Sequence, residues 1–399
     1  MSNLRTLASA MFVAIFFVAA SGPAAAQEVV SSTQDGRTIT FEPFVEFDAG
    51  YDSNLDGFVR NAVGSAFEKA EAGLRVRAQT ETQTYSAFIK GRAYNYNELE
   101  RQDRSDLEAA LGWQGYLSDT QSLKLGTAFY RDHIALSHAD LYDSFADYKF
   151  RNEDFTVRLK AKVHTEINTS DDEDLNNFNP DVFSITKNSA FDYHRPAATL
   201  NILTFKKFPV QPFAIGGVYH SYYFHEGPDP ILTRTATGYF GIGGLRVKLG
   251  DNFRVDVGVR QNHRDMKDLV IGSANATFFD GRLKWTPTDA FKLTGYIERK
   301  YQESTSLFGV VDDVKYYGLT MDVRLADGLY LNVSGRIQEK DPLGDDLFYT
   351  KYVGKGSLSY RPTDKLEIFG TFLAKYVKED FFVEDYDRYR GSVGVRLSF

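Results

Sequence analysis

Tyr389-Arg390-Gly391-Ser392-Val393-Gly394-Val395-Arg396-Leu397-Ser398-Phe399 is the stretch whose reading decides the fold. A strand sends alternate side chains to opposite faces. One set here is Tyr389, Gly391, Val393, Val395, Leu397 and Phe399; the other is Arg390, Ser392, Gly394, Arg396 and Ser398. One face is therefore apolar and aromatic, and the other polar and basic. A soluble sheet rarely ends on an exposed aromatic edge, because an open edge recruits other chains. A closed membrane barrel can end this way, since its last strand pairs with its first and its apolar face meets lipid.

The opposite end of the chain has the three parts of a secretory signal. Arg5 supplies the positive charge, Met11 to Ala20 the apolar core, and Ala24-Ala25-Ala26 a small-residue cleavage site. The expected division is a signal peptide over 1–26, a short periplasmic segment over 27–38 and a barrel over 39–399. The apolar run is too short to span a bilayer, and no later run approaches the ~20 residues that a helix needs. Cysteine is absent, which excludes a disulfide scaffold and a lipid-anchored cysteine. Composition does not shift along the chain. Its 24 Tyr, 32 Phe and 32 Gly, mixed with alternating charges, suit a barrel with aromatic girdles. A net charge of −8 argues against nucleic acid as a partner.

Alternation starts near Thr38 and runs to the end. In Phe155–Ile167, Phe155, Val157, Leu159, Ala161, Val163 and Ile167 share one face, opposite Arg158, Lys160, Lys162, His164 and Glu166. Phe253–Arg260 and Leu329–Gln338 repeat the pattern. Such runs of ~10–13 residues exceed ordinary globular strands and match a tilted membrane strand. Short turns, such as Gly250-Asp251-Asn252 and Ala326-Asp327-Gly328, alternate with longer polar stretches. The longer ones are 52–64, 98–104, 133–140, 168–187, 226–234, 263–270, 301–312, 339–348 and 378–385. The segments between them predict an all-β, transmembrane, antiparallel up-and-down β-barrel of about 18 strands, give or take two. The weakest segments are 141–151 and 190–205. A soluble propeller would instead repeat at ~40 residues with uniformly short connections.

If the apolar set faces lipid, the polar set faces the lumen. The lumen-lining candidates are Arg75, Arg77, Lys90, Arg92, Arg158, Lys160, Lys162, Arg246, Lys248, Arg254, Arg260, Arg282, Lys284, Arg324, Arg336, Lys355, Arg390 and Arg396. Acids on the same phase are fewer: Glu71, Glu108, Glu166, Asp256, Asp280, Glu298, Asp322 and Glu367. The surplus acid is expected in the loops, at Asp171–Asp174, Asp312-Asp313, Asp345-Asp346 and Glu384-Asp385. A basic bore with low-dielectric walls concentrates anions, unless its charges merely pair across the wall. Tyr94, Tyr96, Tyr116, Tyr130 and Tyr296 also fall on the inward phase, where rings could stack on sugars or simply pack the wall.

No chemistry-bearing constellation rises above this pattern. Asp52-Ser53-Asn54-Leu55-Asp56-Gly57 matches half of an EF-hand loop, but Val63 stands where the closing Glu belongs. The seven histidines lack zinc spacing. Ser221 beside His220 cannot form a nucleophile–base pair, since strand neighbours point oppositely. No enzyme, cofactor or metal is expected.

Gly50-Tyr51-Asp52-Ser53-Asn54, just after the first strand of a signal-bearing barrel, resembles the G-Y-D-x-N opening of the "Putative beta-barrel porin 2" family. Tyr389, Val393, Val395, Leu397 and Phe399 resemble the terminal signal read by the barrel assembly machinery. The family resemblance implies a porin-like channel in the outer membrane of a Gram-negative bacterium, as an exit route for an exopolysaccharide delivered by a periplasmic export partner. Two other readings compete: a general diffusion porin for small solutes, and a structural or adhesive barrel without conductance. Outer-membrane lipid and lipopolysaccharide would surround it in each case.

Overall fold

In the computed structural model, the described residues are 32–34, 37–54, 64–97, 104–134, 137–170, 193–223, 235–267, 272–303, 311–343, 348–379 and 385–399. They form nineteen strands and no helix. These are β1 (Ser32–Gln34), β2 (Arg37–Asp52), β3 (Ser65–Gln79), β4 (Gln83–Tyr96), β5 (Arg104–Ser118), β6 (Gln121–Ile134) and β7 (Ser137–Arg151). Next come β8 (Thr156–Ser170), β9 (Tyr193–Leu203), β10 (Val210–Tyr223), β11 (Ala236–Leu249), β12 (Phe253–Met266) and β13 (Ser273–Thr288). The last are β14 (Phe291–Glu303), β15 (Val311–Ala326), β16 (Leu329–Leu343), β17 (Tyr349–Thr363), β18 (Leu366–Glu379) and β19 (Tyr386–Ser398). From β2 to β19 each strand pairs antiparallel with the next, and β19 pairs back onto β2 from Arg390↔Asp52 to Ser398↔Phe44. The result is a closed ring of 18 strands, with β1 a three-residue hairpin arm on β2. This is the expected architecture and strand count. The signal-peptide and periplasmic-segment expectations fall almost wholly outside the described residues.

Directly paired residues share a face, so one inward residue fixes the phase of the whole ring. Ion pairs that skip a strand identify the concave side, where side chains converge. Arg396 of β19 reaches Glu71 of β3 (3.8 Å), and Arg260 of β12 reaches Glu298 of β14 (3.6 Å). The other face carries exposed Leu111, Leu159, Val259, Phe279, Ile297 and Val393, as a lipid-facing surface should. Outward Tyr51, Tyr222, Tyr239, Tyr352, Tyr376 and Tyr389 lie toward one rim. Outward Tyr85, Trp285 and Tyr360 lie toward the other. These are two aromatic girdles.

The strands outrun the alternation that announced them. Asp312-Asp313 belongs to β15, not to a loop, and most of 133–140 lies in β6 and β7. Ladder hydrogen bonds do not require an apolar outer face, so pairing continues past the hydrophobic band into polar sequence. The remaining long connections lie mostly outside the described residues. The weak segments are weak for local reasons. In β9 the outward set includes His194 and Pro196, and the β9–β10 ladder skips Arg195 and Pro196. In β7, outward Ser144 bonds Thr127 of β6 through its hydroxyl (3.0 Å). At the short-turn rim Gly250 and Gly328 take positive φ (68° and 73°), where a Cβ would be strained.

The glycines inside strands serve the wall. Eight inward glycines face an aromatic ring directly across the ladder: Gly50–Phe67, Gly73–Phe44, Gly126–Phe145, Gly217–Phe240, Gly238–Tyr219, Gly244–Phe213, Gly318–Tyr296 and Gly394–Phe369. A Cβ at any of them would lie under 3.0 Å from that ring. The ring lies over bare backbone, covering it and restoring the apolar contact a glycine lacks. Replacing Gly73 by Val should push the buried Phe44 ring aside. The expected cost is about 1–3 kcal/mol, as for other overpacked sites. It should appear as a lower temperature for the gel-mobility shift of the folded barrel in detergent.

Candidate functional site

The inner wall is the candidate site. The register puts every cation singled out in the sequence on the inward face, from Arg75 and Arg77 on β3 to Arg390 and Arg396 on β19. What the sequence could not tell is which of them are already neutralised. On β19 and β2–β5 they form a continuous network. Lys69 bridges Glu46 (2.6 Å) and Asp48 (2.9 Å), and Arg396 reaches Glu46 (3.3 Å). Arg92 joins Glu71 (2.9 Å) to Asp106 (3.4 Å), and Lys90 bonds Glu108 (2.9 Å). Farther round, Arg158 grips Asp147 and Lys162 bonds Asp143 (2.7 Å). Arg246 and Arg254 share Asp256, and Arg260 bonds Asp280 (2.7 Å). These ionic side chains act as cross-strand ties.

A different sector spans β13–β18. Among the described residues, Arg282, Lys284, Arg336, Lys351 and Lys355 have no carboxylate within 4.0 Å. Among the described residues Lys375 bonds only the Tyr386 hydroxyl, and the Tyr386 ring lies under its ammonium (4.7 Å). The acids on this part of the wall are occupied: Asp280 by Arg260 (2.7 Å), Glu298 by Arg260 and Lys300 (3.6 Å each), Asp312 by Lys340 (3.0 Å), Asp322 by Lys292 (3.3 Å) and Glu367 by Arg361 (3.2 Å). Positive charge is thus presented to the bore along one side. A ring of 18 strands encloses a bore of the size that forms an aqueous channel in barrels of this class. Arg75, Arg77, Lys248 and Arg324 likewise lack a carboxylate partner among the described residues. Lys160 lies over the Phe145 ring, and Arg390 over Phe67 (4.1 Å) and Tyr94 (5.3 Å).

Residues 209–399, from the end of the β9–β10 turn to the C-terminus, match the family described as Putative beta-barrel porin 2. That match spans 191 of the 399 residues, just under half of the chain. No curated protein matches it in sequence. Among solved structures it resembles the FrpB iron transporter of Neisseria meningitidis, with 9% identity and a TM-score of 0.50 over 90% of this chain and 82% of that one. It also resembles a BenF-like porin of Pseudomonas fluorescens (8% identity, TM-score 0.49, 92% of this chain and 100% of that). A third is OccK2 (OpdF) of Pseudomonas aeruginosa (9% identity, TM-score 0.49, 90% and 98%). At such identities the likeness is one of fold. Family and fold together make this a porin-like outer-membrane β-barrel, located in the outer membrane of a Gram-negative bacterium; none of these relatives is described as an enzyme.

The stretch Gly50–Asn54, which resembles the family's opening, lies outside the matched residues, and the structure gives it a mechanical role. Asp52, wholly buried, takes a forked pair of hydrogen bonds from Arg388 of β19. Ser53 N–H donates to the Tyr389 carbonyl (2.8 Å), and Tyr389 N–H donates to the Ser53 hydroxyl (2.8 Å). The Asn54 amide donates to the Asp387 carbonyl (3.1 Å). Gly50 is closely overlaid by the Gly391 carbonyl and the Phe67 ring, leaving no room for a side chain. Tyr51 points outward into the girdle. The motif therefore clamps the upper end of the seam where the last strand meets the first. Only pairing, not periodicity, could have revealed this.

The remaining site expectations fall as follows. Asp52, Ser53 and Asn54 are committed to Arg388, Tyr389 and Asp387 of β19, and Leu55–Gly57 of the half EF-hand lie outside the described residues, as do Asp171–Asp174 and Asp345-Asp346. Asp312 and Asp313 bond Lys340 (3.0 Å) and Arg299, so this acidic pair is a strand element. His220 and Ser221 point to opposite faces, with His220 bonded to Thr237 (2.8 Å). Tyr389, Val393, Val395 and Leu397 form an exposed outward row, and Phe399 N–H bonds the Pro43 carbonyl (3.0 Å). Replacing Asp52 by Ala leaves the Arg388 guanidinium without its buried partner. Such a change typically costs about 3 kcal/mol or more, so thermal unfolding in detergent should begin at a lower temperature than in the wild type. An unchanged transition would show that the clamp contributes nothing.

Proposed function

We propose that this barrel is a passive outer-membrane channel that favours anions, and that an acidic exopolysaccharide is the cargo its bore suits best. The observation that carries the reading is the sector on β13–β18, where cations stand without carboxylate partners. Cations tied to acids cancel at a distance; unpaired ones leave a net field in a low-dielectric bore, which enriches anions and repels cations. The paired network on β19 and β2–β5 supports the wall and adds little selectivity.

Polysaccharide is favoured over a small inorganic anion by the inward aromatics. Phe67, Tyr94 and Tyr96 are buried against one another in the wall, whereas inward Tyr296 is 36% exposed. Tyr316 lies beneath Lys300 (5.0 Å) and Arg336 (6.0 Å). A small anion needs no aromatic surface, whereas a sugar ring gains from one. A periplasmic export partner would hand the chain to the short-turn rim. The outward row ending at Phe399 is the surface offered to the barrel assembly machinery, and lipopolysaccharide surrounds the opposite rim.

The unpaired and paired cations separate experimentally. Changing Lys284 and Lys355 together to Gln should lower the anion-over-cation permeability ratio by about twofold in planar bilayers at 0.1 M salt. There the screening length of about 10 Å lets wall charges act across the bore. Changing Arg158 and Asp147 together to Gln and Asn should leave the ratio nearly unchanged, since a neutral pair is removed. A wild-type reversal potential without anion preference would overturn the reading.

A further inference from the structure

On the inner wall between β12 and β16 lies a recess of about 600 Å3. Its floor is one lateral row of the ladder: Arg282 on β13, Tyr296 on β14, Gly318 on β15 and Arg336 on β16, each directly opposite the next. Because Gly318 has no side chain, the Tyr296 ring lies across its backbone. One face of the ring is thereby spent on the wall. Tyr296 is still 36% exposed and makes no hydrogen bond among the described residues. The hydroxyl lies with the ring over Gly318, and the exposed part of the ring is turned to the bore. Neither flanking arginine has a carboxylate partner among the described residues. In the next row toward the short-turn rim, Lys284, Thr294 and Thr320 stand side by side.

We propose that this recess is a subsite for a sugar unit bearing a carboxylate. The inference rests on the anion-favouring reading above and names the chemistry that reading leaves open. Each feature meets one part of such a unit. The apolar C–H face of a pyranose lies on the Tyr296 ring. The carboxylate takes a forked pair of hydrogen bonds from Arg282 or Arg336, whose planar donor sets match it. Ring hydroxyls meet the Thr294 and Thr320 hydroxyls. Arg282 and Arg336 are three strand spacings apart, about 14 Å along the wall at about 4.8 Å per strand. Two carboxylates on one chain can therefore be held at once, with the aromatic platform between them. The binding is weak and repeated, as conduction requires, since a tight site would not release its cargo.

The test is single-channel recording of the refolded full-length barrel with oligogalacturonate, and with a neutral malto-oligosaccharide of matching length, on the short-turn side. The acidic oligomer should interrupt the current in brief blockades, and the neutral one should do so far more rarely. In Tyr296→Ala the blockade dwell time should fall by about tenfold, equivalent to about 1.4 kcal/mol, while Tyr296→Phe should retain it. Arg282→Gln with Arg336→Gln should abolish discrimination between the two oligomers. Gel mobility of unheated samples reports whether each variant is a closed barrel. Equal dwell times in Tyr296→Ala and wild type would mean that charge alone retains the oligomer, and the sugar subsite would be wrong. Equal blockade by both oligomers in the wild type would remove the carboxylate requirement. Neither result bears on anion preference itself, which the wild-type reversal potential reports separately.

Discussion

Within hydrocarbon no water is present to satisfy a peptide group, so every N–H and C=O of a spanning sheet must find another strand. For this chain that constraint reduces to the seam between β19 and β2. Seventeen of the ring's eighteen junctions join strands consecutive in sequence, by turns or longer connections; the eighteenth joins residues more than three hundred positions apart. Closing it carries the largest loop-closure entropy in the fold. The molecule concentrates specific contacts there: nine ladder pairs, the Asp52–Arg388 fork, the reciprocal Ser53–Tyr389 hydrogen bonds and the Asn54 amide on Asp387. Without that junction β2 and β19 would both be open edges in lipid.

The period-two alternation and the spacing of turns made the architecture legible. The side-chain repeat of a strand is a hard geometric fact, and the two solvents are lipid and water. Strand number followed from punctuation, because antiparallel neighbours in a barrel are neighbours in sequence. Strand length did not follow. Asp312-Asp313 reads as a loop by polarity, yet pairs within β15, because hydrogen bonding ignores side-chain polarity beyond the apolar band. The use of each charge was also hidden. Alternation places Arg158 and Arg282 identically on the inner face, but only side-chain geometry shows that the first bonds Asp147, while the second, though opposite Asp256 in the ladder, has no carboxylate within 4.0 Å among the described residues.

Charge placement also resolves an apparent contradiction in composition. The chain is acidic overall, at −8, while the face turned to the bore is basic. A strand lets the two coexist because each face is an independent sequence, written on alternate positions. Several acids on the inner wall are each placed against two cations or more, as Asp256 is by Arg246 and Arg254, and Glu71 by Lys90, Arg92 and Arg396. Such ties lower the repulsion of a crowded basic wall and hold the ring's shape without cancelling its sign.

The glycine–aromatic pairs connect that wall to its function. Glycine weakens a strand by its entropy and its lack of a side chain to pack, so eight inward glycines would be a liability unless covered. Each is covered by a ring from the facing strand, which is thereby laid flat on the wall. Five of these rings, Phe44, Phe67, Phe145, Tyr219 and Phe240, lie in turn under an inward cation, whereas Tyr296 has no such cover among the described residues. On the proposed reading, the packing that stabilises the sheet also supplies, at Tyr296, the ring on which a sugar would rest. Where such a ring falls between arginines without a carboxylate partner among the described residues, as at Tyr296, one side chain would serve both the closure of the wall and the recognition proposed above.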